Sequence, residues 1–380
     1  MLLQAPERKA ARRRLLPLGT VEALASKLGA LEALATPHGV DRYLELVHPM
    51  LTVRELRAVV TDVQRGTADS ITLPLRPTRQ WKGFEAGQFV QLSVDIDGVR
   101  RTRCYSPACS QYRKDGHIEL TIKAHPEGLV SQYLHAHARP GLVLGLTQAD
   151  GVFRLPARRP EKIVLISGGS GITPVMSMLR TLCDEGYRGD VVFLHYAFTE
   201  AHVAYLRELR DLAAAHDNVR LVLAYTDQEV GGDLHGLFHK NHLTAAAPWH
   251  AEAETFLCGP PGLMKAVSAH YVAHRLTDVL HTEDFAPAPV VPPDGGVTGA
   301  VSFARSDISA PNTGDTLLEQ AEAAGLTPEH GCRMGICFSC TQIKTSGCTQ
   351  NIRTGELNSD PDTELQLCIN RPVGDVAINI

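Results

Sequence analysis

The chain lacks any run of about 18 uncharged apolar residues, so no transmembrane helix is expected. Cysteine is scarce: nine in 380 residues is too few for a disulfide scaffold. Positive charge is not in excess, and a net charge of -5 gives no footprint for a nucleic-acid partner. Aromatics make up 6% and charged residues 21% beside 44% hydrophobic, the balance of an ordinary globular protein, which excludes wholesale disorder and fibrous folds. No secretory leader is expected, because Arg12-Arg13-Arg14 runs into Leu15-Leu16 and then Pro17 instead of a sustained apolar region. The expected compartment is a reducing cytoplasm.

What is present is a multidomain chain. One domain per roughly 100 to 200 residues gives two to four domains for this length. Residues 1–50 read as a helical N-terminal extension, with Val21, Leu24, Leu28, Leu31 and Leu34 at helical spacing. Residues 51–157 change to short alternating runs such as Gln88-Phe89-Val90-Gln91-Leu92, separated by turn residues, which predicts an antiparallel β-barrel. Residues 158–285 alternate apolar runs, Ile163 to Ile166 and Val191 to Leu194 among them, with helical stretches at Val175 to Cys183 and Ala201 to Ala215. That is the pattern of an α/β domain with a parallel sheet. Residues 286–296 form a Pro/Gly-rich linker, and 297–380 are the size of a small α+β module. This last segment holds 5 Lys+Arg against 10 Asp+Glu, whereas the rest holds 32 of each, so it carries the whole net charge. Such an acidic surface would steer a basic partner.

Three of the cysteines, Cys332, Cys337 and Cys340, have the spacing C-x4-C-x2-C, and Cys368 follows after 27 residues. That arrangement of thiolates suits a [2Fe-2S] cluster, with Gly331 and Gly335 letting the backbone wrap the metal site. Zinc sites usually pair two short knuckles of similar spacing. Cys348 competes with Cys368 for the fourth place but sits in a turn-like segment, Thr345-Ser346-Gly347-Cys348, and Cys368 is preferred because it ends the strand-like run Leu365-Gln366-Leu367. The segment from Gly331 to Cys340, with Leu367-Cys368, resembles the plant-type ferredoxin domain, which implies a β-grasp fold.

A second constellation, Ser167-Gly168-Gly169-Ser170-Gly171-Ile172-Thr173-Pro174, follows a strand-like run and opens a helix. Glycines there let the backbone approach a pyrophosphate, and Pro174 suits a first helical turn. Arg103-Cys104-Tyr105-Ser106 and Gly128-Leu129-Val130-Ser131 resemble the R-x-Y-S and G-x-V-S flavin motifs of the ferredoxin-NADP reductase superfamily. The resemblance implies Arg103 on a flavin phosphate, Tyr105 on the isoalloxazine, Ser106 near flavin N5 and an anion site at Gly128 to Ser131; Lys123 is counted with them. Cys258-Gly259-Pro260 resembles the segment beside the nicotinamide. Glu283-Asp284-Phe285 resembles the end of the reductase module, with Phe285 over the flavin and Glu283 as a proton shuttle. Catalytic roles are thus expected for Ser106, Cys258 and Glu283.

The module order resembles phthalate dioxygenase reductase and, more narrowly, the reductases that serve membrane acyl-CoA desaturases. It implies NAD(P)H-dependent electron transfer through flavin and a [2Fe-2S] cluster to a redox partner protein, an oxygenase or a membrane acyl-CoA desaturase, with peripheral membrane contact through that partner. FAD is the expected flavin and FMN the alternative. Asp227 follows the strand-like run Leu221 to Ala224 where NADP-using relatives commonly have a Ser-Arg pair, so NADH is slightly favoured over NADPH. The rival readings are a self-contained reductase of a quinone or ferric chelate and a redox-sensing binding protein.

Overall fold

The computed structural model describes residues 40–126, 128–285, 297–331, 333–335 and 338–380. The expected helical stripe from Val21 to Leu34, the linker 286–296, and Cys332 and Cys337 lie outside the described residues. Among the described residues, the first element is the helix α1 (Val40–Val47). Its Asp41 carboxylate accepts from the backbone N–H of Val53, Arg54 and Glu55, tying the helix to the following turn.

The first sheet is antiparallel: β1 (Arg57–Val60), β2 (Gln64–Thr67), β3 (Ser70–Pro77), β4 (Val90–Ile96), β5 (Val99–Tyr105), β6 (Ile118–Lys123) and β7 (Val143–Leu146). Its order is β2-β3-β1-β7-β4-β5, with β6 also on β3. The sheet curls until β5 and β6 approach at the isolated bridge between Pro107 and Leu120. Alternation explains the curl: β4 and β6 bury every second residue. Val90, Leu92, Val94, Ile118, Leu120 and Ile122 thereby fill one interior, which α2 (Leu129–His137) closes with Val130 and Leu134.

The second sheet contains β8 (Lys162–Gly168), β9 (Asp190–Ala197), β10 (Val219–Tyr225), β11 (Leu234–His235), β12 (Glu254–Gly259) and β13 (Leu280–Asp284). All pairs are parallel, in the order β11-β10-β9-β8-β12-β13. Its central strands are buried along nearly their whole length, the mark of a sheet covered on both faces. On one face α3 (Ile172–Asp184) and α4 (Leu206–Ala215) share a core with Ala86, Phe153 and Leu155 of the first unit. On the other lie α5 (Lys240–Ala246) and α6 (Pro261–Ala273), packed through Leu243, Leu263, Val267 and Tyr271. The stretch expected as one helix from Ala201 is interrupted. A 3-10 turn at Glu200–His202 precedes Tyr205, whose φ of 60° breaks the helical path, and α4 starts only at Leu206.

The third sheet is mixed: β14 (Ala300–Phe303), β15 (Ile308–Pro311), β16 (Thr341–Asn351), β17 (Leu357–Asn358), β18 (Thr363–Gln366) and β19 (Asn370–Ile378). Its order is β15-β14-β19-β16-β17, with β18 on β16. Across it packs α7 (Leu317–Ala323), started by a capping box between Thr316 and Glu319 and buried through Leu317, Leu318 and Ala321. The turn expected at Thr345 to Cys348 is instead part of β16. Register shifts at Lys344/Ser346 and Gly347/Cys348 absorb the turn-forming residues as bulges, and Gly347 takes a φ of 88°. Fully buried Lys344 holds this bend by donating to the carbonyls of Gly347 and Asn358 at 2.8 and 2.9 Å.

Candidate active site

Parallel pairing places four polar side chains side by side. Glu283 on β13 is registered with Cys258 on β12, Cys258 with Ser167 on β8, and Ser167 with His195 on β9. Residues in register on neighbouring parallel strands project from the same face about 4.8 Å apart. Here that face is the one carrying Cys258, Phe193 and Leu165, toward the first unit. All four side chains are buried. The row lies at the carboxyl ends of the strands, where open α/β sheets take their ligands.

Ser106, just beyond β5, donates its hydroxyl to Glu283 at 3.4 Å and so joins the antiparallel unit to the row. Burial pushes the Glu283 carboxyl up to about 8, although the Ser106 hydrogen bond pulls it back in part. The carboxyl is therefore largely neutral at pH 7 and can donate as well as accept. Burial also raises the Cys258 thiol well above its usual value, with the charges of Glu283 and Asp284 adding to the effect, so this sulfur is a neutral packing atom and not a thiolate. At the far end His195 meets Ser167 Oγ through Nδ1 at 2.8 Å. Its pKa is lowered to about 3 by burial and then by the nearby Lys123 ammonium, and its Nε2 has no hydrogen-bond partner. His195 escaped the sequence reading. The available signal was one imidazole inside the apolar run Val191-Val192-Phe193-Leu194-His195-Tyr196.

The glycine turn lies beside the row. Gly168 ends β8, a 3-10 turn covers Gly169–Gly171, and α3 begins at Ile172, with Thr173 and Pro174 in its first turn. A Cβ on Gly171 would stand 2.2 Å from the Cys258 carbonyl oxygen, and one on Gly168 would stand 2.8 Å from Pro260. The turn thus packs directly on Cys258-Gly259-Pro260. Gly169, with a φ of 54° and no heavy atom near its Cβ position, presents bare backbone outward next to Ser170. Such a surface at a helix N-terminus fits a pyrophosphate.

On the antiparallel unit, Arg103 and Tyr105 lie on β5 opposite Leu92 and Val90. Tyr105 packs on the barrel core, and burial raises its phenol pKa. Gly128 caps α2, where a Cβ would stand 2.4 Å from Ser131 Oγ; this hydroxyl donates to the Gly128 carbonyl and accepts from His125 N–H. First-turn N–H groups of Leu129, Val130 and Ser131 have no carbonyl within their own helix, as at any helix start. Lys123 ends β6, pairs with Asp69 at 3.1 Å and lies over the Phe198 ring at 5.8 Å. Arg103, Tyr105 and the α2 start together offer a cation, a ring and open N–H groups, a donor set that fits a flavin with a phosphate tail. Phe285 follows β13 and packs against the core shared by the two units.

The third unit approaches from the Arg103 side. Arg103 Nη1 donates to the carbonyls of Thr102 at 2.7 Å and Gly331 at 3.2 Å, and Ser339 Oγ donates to Gln91 Oε1 at 3.1 Å. In the sequence Gly331 directly precedes Cys332 and Ser339 directly precedes Cys340, the first and last cysteines of the loop. Within it, Gly335 has a φ of 76° with its Cβ position against Ile369, and its carbonyl accepts from Gln366. Cys340 and Cys368 are both buried, and Leu367 N–H donates to the Cys340 carbonyl at 3.1 Å. Cys348 stands elsewhere, opposite Val373 on β19.

Comparison with known proteins agrees with this arrangement. Residues 58–154 match the oxidoreductase FAD-binding domain, and residues 165–269 match the oxidoreductase NAD-binding domain. An NADPH oxidoreductase of Mycobacterium tuberculosis is 36% identical over 91% of this chain and 90% of its own. The glycine betaine monooxygenase reductase subunit of Pseudomonas aeruginosa is 31% identical over 78% of this chain and 87% of its own. Phthalate dioxygenase reductase, whose structure is described as modular for electron transfer from pyridine nucleotides to [2Fe-2S], superposes with a TM-score of 0.59. That match covers 86% of this chain and 98% of that one at 21% identity, a likeness of fold. With its FAD-binding and NAD-binding domains in this order, the chain belongs to the ferredoxin-reductase family of NAD(P)H oxidoreductases.

Proposed function

We propose that this oxidoreductase is the reductase component of an oxygenase or acyl-CoA desaturase system, and that its electrons leave through a C-terminal ferredoxin domain. The observation that carries this reading is the pair of hydrogen bonds from Arg103 to Gly331 and from Ser339 to Gln91. They seat the cysteine loop on the strands that bear the flavin motif. FAD, when bound, supplies the exchange between a two-electron donor and one-electron acceptors. The protein's part is placement. The turn Gly168 to Pro174 and the segment Cys258-Gly259-Pro260 receive the dinucleotide. Arg103, Tyr105, Lys123 and Gly128 to Ser131 hold the flavin, while Ser106 and neutral Glu283 keep a proton at the seam between the two domains. Phe285 covers the shared core beside them.

The donor set also fits a [2Fe-2S] cluster. Cys340 and Cys368 are both buried in one core cluster, with Leu367 N–H bonded to the Cys340 carbonyl and positive-φ Gly335 five residues before Cys340, and in the sequence Cys332 and Cys337 complete C-x4-C-x2-C. The family relation supports an oxygenase-type partner, since the Pseudomonas aeruginosa relative is named as a monooxygenase reductase subunit. Among the described residues no helix is long and apolar enough to cross a membrane. Replacing Cys337 by Ser tests the exit route. The variant should keep NAD(P)H-dependent ferricyanide reduction and lose most cytochrome c reduction; unchanged cytochrome c reduction would overturn the route.

A further inference from the structure

The face of the parallel sheet turned away from the flavin carries a cluster of imidazoles that the proposed electron transfer does not use. His250 opens the 3-10 turn that leads into β12, His270 lies in the last turn of α6, and His274 caps that helix. The Nε2 atoms of His250 and His270 are 3.3 Å apart, and the rings of His270 and His274 are 4.2 Å apart between centroids. Without an ion this contact is a hydrogen bond between the two rings; two nitrogens bound to one tetrahedral zinc at about 2.0–2.1 Å stand about 3.3–3.4 Å apart, so an ion could take the place of the shared proton with little movement.

The tautomers point the same way. His250 Nδ1 lies 2.9 Å from the Ala247 carbonyl and His274 Nδ1 lies 2.8 Å from the His270 carbonyl. A carbonyl can only accept, so each Nδ1 carries the proton and each neutral ring presents an Nε2 lone pair. For His250, which need not move, this is the outer hydrogen bond that metal-ligating histidines typically make. The three rings are partly or fully exposed, which leaves an entry path. Among the described residues no three ligating groups already converge on one point. His250 and His270 therefore form the seat; His274, one helical turn from His270, reaches it by rotating its ring and giving up its bond to the His270 carbonyl, which makes it the weakest of the three ligands.

We propose that His250 and His270, with His274 as third ligand, bind one late first-row divalent cation such as zinc and pin the C-terminal end of α6 to the turn before β12. Imidazole donors of this kind suit zinc, nickel and copper over magnesium or calcium. Burial and the neighbouring His274, His250 and Lys240 lower the His270 pKa, which keeps the ring neutral and able to ligate near pH 7. Lys240 opposes the incoming charge, and full protonation of the imidazoles in acid should abolish binding.

Calorimetric titration of the full-length flavin-loaded chain with zinc chloride in a non-coordinating buffer tests this at pH 7.5 and at pH 5. Expected at pH 7.5 is one site that is lost at pH 5 and accompanied by a rise in Tm. His250→Ala and His270→Ala should each weaken it by about tenfold or more, and His274→Ala by less. His250→Gln guards against a folding defect, because it keeps most of the side-chain volume and should lose the ion while retaining flavin absorbance. Zinc uptake of equal affinity and number in wild type, His250→Gln and His270→Ala would overturn the proposal, as would absence of binding at pH 7.5.

Discussion

At the residue scale the chemistry rests on groups whose burial fixes their protonation. Glu283 is 7% exposed, and its carboxyl titrates near 8 in the folded chain against 4.5 for the ordinary group. As pH rises from 4.5 toward 8 the unfolded chain gives up this proton while the folded chain retains it, so this group lowers stability progressively across that window. Above 8 both states are ionised and the difference levels off. Glu283→Gln removes the effect. Its Tm relative to wild type should climb between pH 4.5 and 8 and then stay flat, as read by thermal unfolding at fixed ionic strength; a constant offset would show that Glu283 titrates normally. Asp227 carries a second prediction. It lies just past β10, its N–H bonded to the Phe198 carbonyl at 2.9 Å, and Arg210 nearby is taken up by Glu200 at 2.6 Å. An added 2′-phosphate would meet acid here. Asp227→Arg should shift the kcat/KM ratio toward NADPH by about tenfold, equivalent to about 1.4 kcal/mol. An unaltered ratio would place the discrimination elsewhere.

At the element scale, the features legible in the sequence are those with local causes. Strand alternation in Ile118 to Lys123, the glycine turn after β8 and the helix start at Gly128 depend on a few adjacent residues, and each sits in the structure at the element expected for it. Features set by distant contacts were not legible. Tyr205 breaks the expected helix because its ring is held between domains, under the Arg180 guanidinium at 4.8 Å and with its hydroxyl bonded to Thr121. Thr345 to Cys348 read as a turn because glycine, serine and threonine favour turns, yet pairing with β19 on one side carries the segment through as a bulged strand. That strand separates the two rivals for fourth ligand: Cys340 immediately precedes β16, whereas Cys348 lies well along it, past two register shifts and opposite Val373. Cys368→Ser should therefore bleach the cluster absorbance, whereas Cys348→Ser should leave it intact. The opposite pattern would reassign the ligand.

At the scale of the whole molecule, function depends on two seams. Between the FAD-binding and NAD-binding domains, Arg180 reaches Glu119 and the Ala108 carbonyl while also holding Glu208, and Ser177 donates to the Cys109 carbonyl at 2.7 Å. This web keeps Ser106 against Glu283. The second seam, Arg103 to Gly331 and Ser339 to Gln91, joins residues more than two hundred positions apart and has no signature in either local sequence. The measurement that bears most directly on it is anaerobic reduction of the purified full-length chain by NADH and by NADPH, followed by absorbance and electron paramagnetic resonance. Expected are one bound FAD with two irons and two acid-labile sulfides per chain, and a reduced-cluster signal that appears after the flavin absorbance has begun to bleach. Flavin reduced by nicotinamide in a preparation that contains no iron, or whose cluster stays oxidised, would contradict electron exit through the C-terminal domain.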